Sequence, residues 1–168
     1  MSETTERIPP ASAASMSSAA TRLELARAIV GDDRMAYVDS AEEDGRAAVM
    51  RATGDFGADV VIVACSSDIA QQEAMEMAAP RGRVMFFGGL PKGTTHIEFP
   101  SNILHYKEVQ VHGSYASRHR DQVAALDMLA ADAGGIRSVV SDIIGLDETP
   151  DAFPRIRAGE ALKVVVAP

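Results

Sequence analysis

Along this chain, continuous apolar runs alternate with segments whose apolar residues recur every three or four positions. Val60-Val61-Ile62-Val63-Ala64-Cys65 is apolar at every position, the pattern of a parallel strand buried on both faces. Ser67 can cap a helix after it, and Ala70, Ala74, Met77 and Ala78 fall on one helical stripe. Pro80-Arg81-Gly82 ends that helix, and the strand Val84-Met85-Phe86-Phe87 runs into the loop Gly88-Gly89-Leu90-Pro91-Lys92-Gly93. A strand follows at Val109 to Tyr115, then a helix from His119 to Ala133 with Val123, Leu126 and Leu129 inward, stopped by Gly134-Gly135.

The flanks carry weaker patterns. Ala20 to Val30 reads as a helix, with Thr21-x-x-Glu24 as a capping box or Ser18 as an earlier cap. Met35 to Val38 reads as a short strand, and Ser40-x-x-Glu43 as the cap of a helix running to about Thr53. The tail gives a strand at Ser138 to Val140, a helix at Thr149 to Ala158 capped by Asp147, and a strand at Leu162 to Val166. Residues 1–20 are half Ser and Ala around Pro9-Pro10, with too little apolar area to offset ordering, and are expected to be a disordered leader. The βαβα alternation predicts an α/β fold: a parallel sheet with helices on both faces. The organisation read from it is a leader (1–20), a main α/β stretch (21–133) and a C-terminal segment (134–168).

Composition narrows the chemistry. A net charge of −8 disfavours nucleic acid and anionic membranes, both of which need clustered Lys and Arg. No run approaches the length of a membrane span, and the single Cys65 permits no internal disulfide, so cytoplasm is expected. The four histidines, His96, His105, His112 and His119, lack ligand spacing, and no metal site is expected. No Gly-x-Ser-x-Gly elbow occurs and no nucleophile stands out, so no catalytic residue is assigned. In an open parallel sheet a glycine loop at a strand's carboxyl end is where ligands sit, which makes Gly88 to Leu90 the leading candidate site. A Gly-x-Gly-x-x-Gly fingerprint, the usual phosphate cradle of that fold, is absent.

Six segments occur in a fixed order: Arg22-Leu23-Glu24-Leu25-Ala26, Gly57-Ala58-Asp59-Val60-Val61-Ile62, Gly82 to Gly93, Ile103-Leu104-His105-Tyr106-Lys107-Glu108, His112-Gly113-Ser114, and Gly159-Glu160-Ala161-Leu162-Lys163-Val164-Val165. Together they resemble the C-terminal half of zinc-type medium-chain alcohol and polyol dehydrogenases, the sorbitol- and threonine-dehydrogenase-like group. The resemblance implies that 21–133 is an incomplete dinucleotide-binding domain of Rossmann-like α/β fold, truncated so that its first strand and glycine fingerprint are missing, that 134–168 is the segment which in the family returns to the catalytic domain, and that the zinc-bearing catalytic domain itself is missing. It implies hydride transfer with NAD or NADP, with cofactor binding weak or lost in this chain and zinc held by residues outside it.

By the same resemblance, Ser17 stands where the family has an Asp for the adenine ribose, with Arg22 nearby, which leaves NAD and NADP both open. Cys65 and Ser66 follow a strand that meets the cofactor. Gly88, Gly89 and Leu90 match backbone contacts to nicotinamide, Ser114 and Tyr115 end the next strand, and Lys163 matches a basic residue near the pyrophosphate. Residue by residue, other readings stay open: Cys65 as a small buried filler, the glycines as a plain turn, Arg22 and Lys163 as solvated cations. As an isolated chain the protein is expected to be inactive. The alternatives are a non-catalytic binding or self-assembly module, a homodimer pairing through the 109–115 edge strand, or half of a split enzyme completed by a separate catalytic-domain polypeptide.

Overall fold

In the computed structural model, residues 19–31, 35–94, 96–131, 133–158 and 160–167 are described. The chain divides into two compact units, Ser40–Arg118 and Met1–Asp39 together with His119–Pro168.

The first unit holds helix α2 (Gly45–Ala52), strand β1 (Ala58–Val63), α3 (Asp68–Met77), β2 (Ala78–Phe86), α4 (Ser101–Lys107) and β3 (Gln110–Gly113). Its three strands are parallel in the order β1-β2-β3, the α/β arrangement expected. The register sorts side chains into two faces. Val61, Val84 and Val111 share one row and Val63 and Phe86 the next, while Ile62, Met85 and His112 form a row on the opposite face. The first face is the core. Val63, Ala74, Met75, Ala78, Val84 and Val109 are buried together, with Ile103 and Leu104 of α4 packed against them.

The opposite face is open: Val60 is 46% and Ile62 62% exposed. The apolar run of β1 is therefore buried on one face, not on both. An all-apolar run cannot tell the two cases apart, because it lacks the polar alternation that would mark a wet face.

Local chemistry explains the element ends. Gly57 has φ +94°, and a Cβ there would lie 2.7 Å from Ala79 N, so β1 can enter beside β2 only through glycine. Ser67 caps α3 by accepting from Ala70 N at 3.2 Å, as expected. The buried stripe of α3 is Gln71, Ala74 and Met75, rotated from the expected one, with Ala70 and Met77 half-buried on its flank. β2 begins at Ala78 and carries Pro80 through a register shift that moves the pairing from Ala58↔Ala78 to Val60↔Arg83. Proline is tolerated at such an irregularity because no ladder donor is needed from it. Arg81 (φ 61°) completes the irregular stretch.

α2 starts later than expected. Asp44, not Ser40, is its cap, its carboxylate accepting from Arg46 N at 2.9 Å and Ala47 N at 3.2 Å. Two donors on one ionised acceptor hold the helix end more strongly than a hydroxyl one turn earlier.

The second unit contains α1 (Ala19–Val30), α5 (His119–Ala130), a 3-10 stretch (Ala133–Val139), β4 (Asp142–Ile144), α6 (Thr149–Arg157) and β5 (Val164–Val166). β4 and β5 form a separate two-stranded parallel sheet. Arg155 Nη2 donates to Asp142 Oδ2 at 2.7 Å and ties α6 to β4.

Four expectations change here. Met35 to Val38 is irregular: a four-residue segment is not a strand without a partner ladder, and Tyr37 instead meets the Arg27 guanidinium at 5.2 Å. The expected strand at Ser138–Val140 starts later, at Asp142, after the 3-10 turn. Asp147 does not cap α6; the neighbouring Glu148 turns back to accept from Gly145 N at 2.9 Å. Val123, Leu126 and Leu129 of α5, expected inward, are 43%, 65% and 42% exposed, since apolar periodicity gives a face without saying what covers it. Residues 1–18 of the expected leader, Ser18 among them, lie outside the described residues, while its last two, Ala19 and Ala20, open α1 and are helical.

Candidate functional site

The carboxyl ends of β1, β2 and β3 all point one way because the strands are parallel, so the segments that follow them gather on one rim. After β1 come Cys65 and Ser66, both exposed. After β2 come Gly88, Gly89 and half-buried Leu90, and after β3 the exposed Ser114 and Tyr115. Backbone bonds lock these ends in register. Val63 O accepts from both Phe87 N (3.1 Å) and Gly88 N (2.9 Å), and Phe86 O accepts from Ser114 N at 3.2 Å.

Gly88 sits directly against the first segment. A Cβ on it would fall 2.4 Å from Cys65 O, a distance no real Cβ adopts, so this crossing requires glycine. Gly89 has nothing within 4 Å of its would-be Cβ. The rim therefore pairs a closely packed glycine with an open one. The open one leaves backbone accessible to a ligand.

Sequence reasoning missed one residue here. Gln71 is the buried polar side chain of the core, 5% exposed, and its Nε2 donates to Gly88 O at 3.1 Å. The signal was a polar residue inside the stripe Gln71-Ala74-Met75-Ala78, hidden by placing the stripe one position away.

The remaining candidates lie elsewhere. Arg22 is exposed on α1, and Lys163 is exposed ahead of β5, its carbonyl accepting from Ser141 N at 2.8 Å. Both belong to the second unit. Ser17 lies outside the described residues. Cys65 is an exposed thiol, so its reading as a buried filler is corrected.

The amino end of α3 opens onto the rim, but its first turn is already supplied with acceptors. Ser67 Oγ takes Ala70 N, and Asp68 Oδ1 takes Ile69 N at 2.9 Å. Asp68 adds negative charge there, which disfavours an anion at that point. A shallow pocket lined by Gln72, Glu76, Glu98, Phe99 and Pro100 shares no residue with the rim, and its Glu76 is engaged by Arg46 at 2.9 Å. Among the described residues no three His, Cys, Asp or Glu side chains converge as metal ligands, and no helix is long and apolar enough to cross a membrane.

Residues 13–131 match the family model described as zinc-binding dehydrogenase. Among curated relatives, "Probable D-xylulose reductase A" of Aspergillus clavatus is 27% identical over 154 residues, covering 88% of this chain and 40% of the relative. A sorbitol dehydrogenase of Halalkalibacterium halodurans is 27% identical over 131 residues, covering 78% and 38%. Among solved structures, benzyl alcohol dehydrogenase from Acinetobacter calcoaceticus shares the fold at a TM-score of 0.75 and 20% identity, covering 88% of this chain and 40% of that one. A zinc-binding dehydrogenase of Sinorhizobium meliloti 1021, solved bound to NADP, aligns at a TM-score of 0.66 and 29% identity, covering 78% and 38%. The chain thus spans about 40% of the length of the first of these relatives.

Proposed function

The chain belongs to the zinc-binding dehydrogenase family, and from that premise we propose that it is the cofactor-holding portion of an NAD(P)-dependent alcohol or polyol dehydrogenase, inactive by itself. One observation carries this reading: the rim where Gly88 is seated on the Cys65 carbonyl while Gly89 stands open. Ligands of open parallel sheets bind outside the carboxyl ends of the strands, and backbone approach without a Cβ is what a flat nicotinamide ring requires. The relative solved with NADP supports the cofactor class.

In this reading Gly88, Gly89 and Leu90 border the nicotinamide, Cys65 and Ser66 line its second side, and Ser114 and Tyr115 close the third. By resemblance to the family, Arg22 and Ser17 match positions near the adenine ribose and Lys163 a position near the pyrophosphate. A bound nicotinamide supplies the hydride acceptor or donor for a secondary alcohol and its ketone. The rim's own contribution is to orient the carboxamide by backbone groups and to exclude water with Leu90. Zinc in this family polarises the alcohol oxygen, but the described residues do not fit a zinc ion. In this reading, as the family resemblance implies, zinc and substrate are held by residues outside this chain, and turnover needs a partner polypeptide or a longer chain that carries them.

A thermal-shift titration with NAD(H) and NADP(H) tests the first half. A ligand that binds only the folded chain raises its stability by mass action, by about 2.7 kcal/mol at a hundred times Kd. No shift at millimolar cofactor ends this reading. Assay of the purified chain with zinc, cofactor and a panel of polyols tests the second half: substrate-dependent reduction of the cofactor by the chain alone would contradict it.

A second reading has its own observation. β3 lies at the edge of the sheet with Gln110 and His112 exposed, and such an edge can pair with a second copy. Light scattering that reports a monomer at micromolar concentration would remove it.

A further inference from the structure

Among the described residues of the first unit, one buried side chain is polar. Gln71 is 5% exposed and shares the buried stripe of α3 with Ala74 and Met75, two members of the apolar cluster that also holds Val63 and Val84. A buried amide is costly unless its donors and acceptors are met. Its Nε2 meets the carbonyl of Gly88 across 17 residues of sequence. The choice of that acceptor is informative. Gly88 is already held on its amide side, where its N–H donates to Val63 O. With the carbonyl also held, both ends of the residue are fixed.

We propose that Gln71 is a positioning residue for the cofactor loop, a proposal that rests on reading that loop as the nicotinamide site. The peptide joining Gly88 to Gly89 is trans, so its C=O and N–H point in opposite directions. Fixing the Gly88 carbonyl toward α3 therefore aims the Gly89 N–H away from α3, toward the open side. Among the described residues no acceptor meets that N–H, and Gly89 is exposed. The N–H is a directed donor suited to an uncharged acceptor oxygen such as that of a carboxamide. Without Gln71 the two glycines would let the plane rotate, because neither has a Cβ to resist it. Loss of preorganisation is then paid at each binding event.

Three measurements on the full chain decide it. In the wild type, the Gln71 side-chain amide protons should exchange with solvent at least about tenfold more slowly than those of exposed Asn102. Equal rates would overturn the proposal without any variant. Gln71→Met keeps the volume and removes the donor. In its folded form the Gly88 carbonyl-carbon and Gly89 amide resonances should shift while those of Val60 and Val111 hold, and the Kd for NADPH should rise about tenfold, the size of one lost hydrogen bond. A merely structural glutamine would lower Tm and leave the Gly89 resonance and the Kd unmoved. If wild type binds NADPH and the folded Gln71→Met binds equally well, the positioning role falls and the cofactor reading stands. If wild type binds no NADPH, both fall, whatever the exchange rates.

Discussion

Gly88 and Gly89 are neighbours with opposite requirements. A methyl at Gly88 would meet the Cys65 carbonyl at 2.4 Å, backbone against backbone, with no flexible side chain to give way. Gly88→Ala should therefore cost about 1–3 kcal/mol, the range of overpacked sites, and lower the chemical-denaturation midpoint. Gly89→Ala meets nothing and should stay within about 0.5 kcal/mol of wild type, yet weaken cofactor binding by crowding the open backbone. Equal stabilities for the two variants would contradict the crossing described at Cys65. Charge at single residues matters less. Arg81 Nε donates to Glu108 Oε2 at 2.8 Å, and this hydrogen bond and its charge hold the Glu108 carboxyl below its usual range. A lowered carboxylate contributes stability above its unfolded value and loses it as pH falls through the folded one. The Tm gap between wild type and Glu108→Gln should thus be small at neutral pH, shrink further in acid, and shrink with salt, because both groups lie in solvent. A gap that widened on acidification would reverse the sign.

At the scale of elements, the sheet has one protected face and one wet face, and this sorts its substitutions. Met75 and Val84 are wholly buried. Met75→Ala should cost about 2–5 kcal/mol through lost transfer energy and the cavity left behind. Ile62→Thr, on the open face of β1, should change stability by no more than about 0.5 kcal/mol, although Ile62 sits in the most apolar run of the sequence. Urea titrations of the two variants give the comparison, and a large loss at Ile62 would mean that its face is covered. The same contrast shows what the sequence could and could not say. Strands β1 and β2, helix α3 and its Ser67 cap were legible, because long apolar runs and a hydroxyl before an amphipathic stretch are local signals. So was the loop at Gly88 to Leu90. Coverage was not legible: β1 and the apolar stripe of α5 predict burial, and only three-dimensional neighbours decide it. Short elements failed for a related reason. Met35 to Val38 has strand chemistry without a partner, and Asp44 won the α2 cap from Ser40 through two bonds that depend on where the chain turns. Gln71 stayed hidden because burial of a polar residue is a property of its acceptor, 17 residues away.

For the whole molecule the decisive quantity is charge. The chain carries −8 at neutral pH, and the cofactor proposed for it is a dianion or more through its phosphates. The rim residues assigned to the cofactor, Cys65, Ser66, Gly88, Gly89, Leu90, Ser114 and Tyr115, are all neutral side chains; the loop beyond Leu90 carries one cation, Lys92, and the first turn of α3 one anion, Asp68. Long-range repulsion then opposes association, while binding at the rim comes from backbone hydrogen bonds and apolar contact, which salt barely touches. Raising ionic strength from about 20 mM to about 200 mM shortens the screening length from roughly 20 Å to under 10 Å and removes most of the repulsion. The Kd for NADPH should therefore fall or stay level across that range, and the effect should be smaller for NADH, which has one phosphate fewer. A cofactor site built on a cationic phosphate grip would behave oppositely, its Kd climbing steadily with salt. Fluorescence titrations at the two salt concentrations separate the cases: a rising Kd would place Arg22 and Lys163, rather than the glycine rim, at the centre of binding.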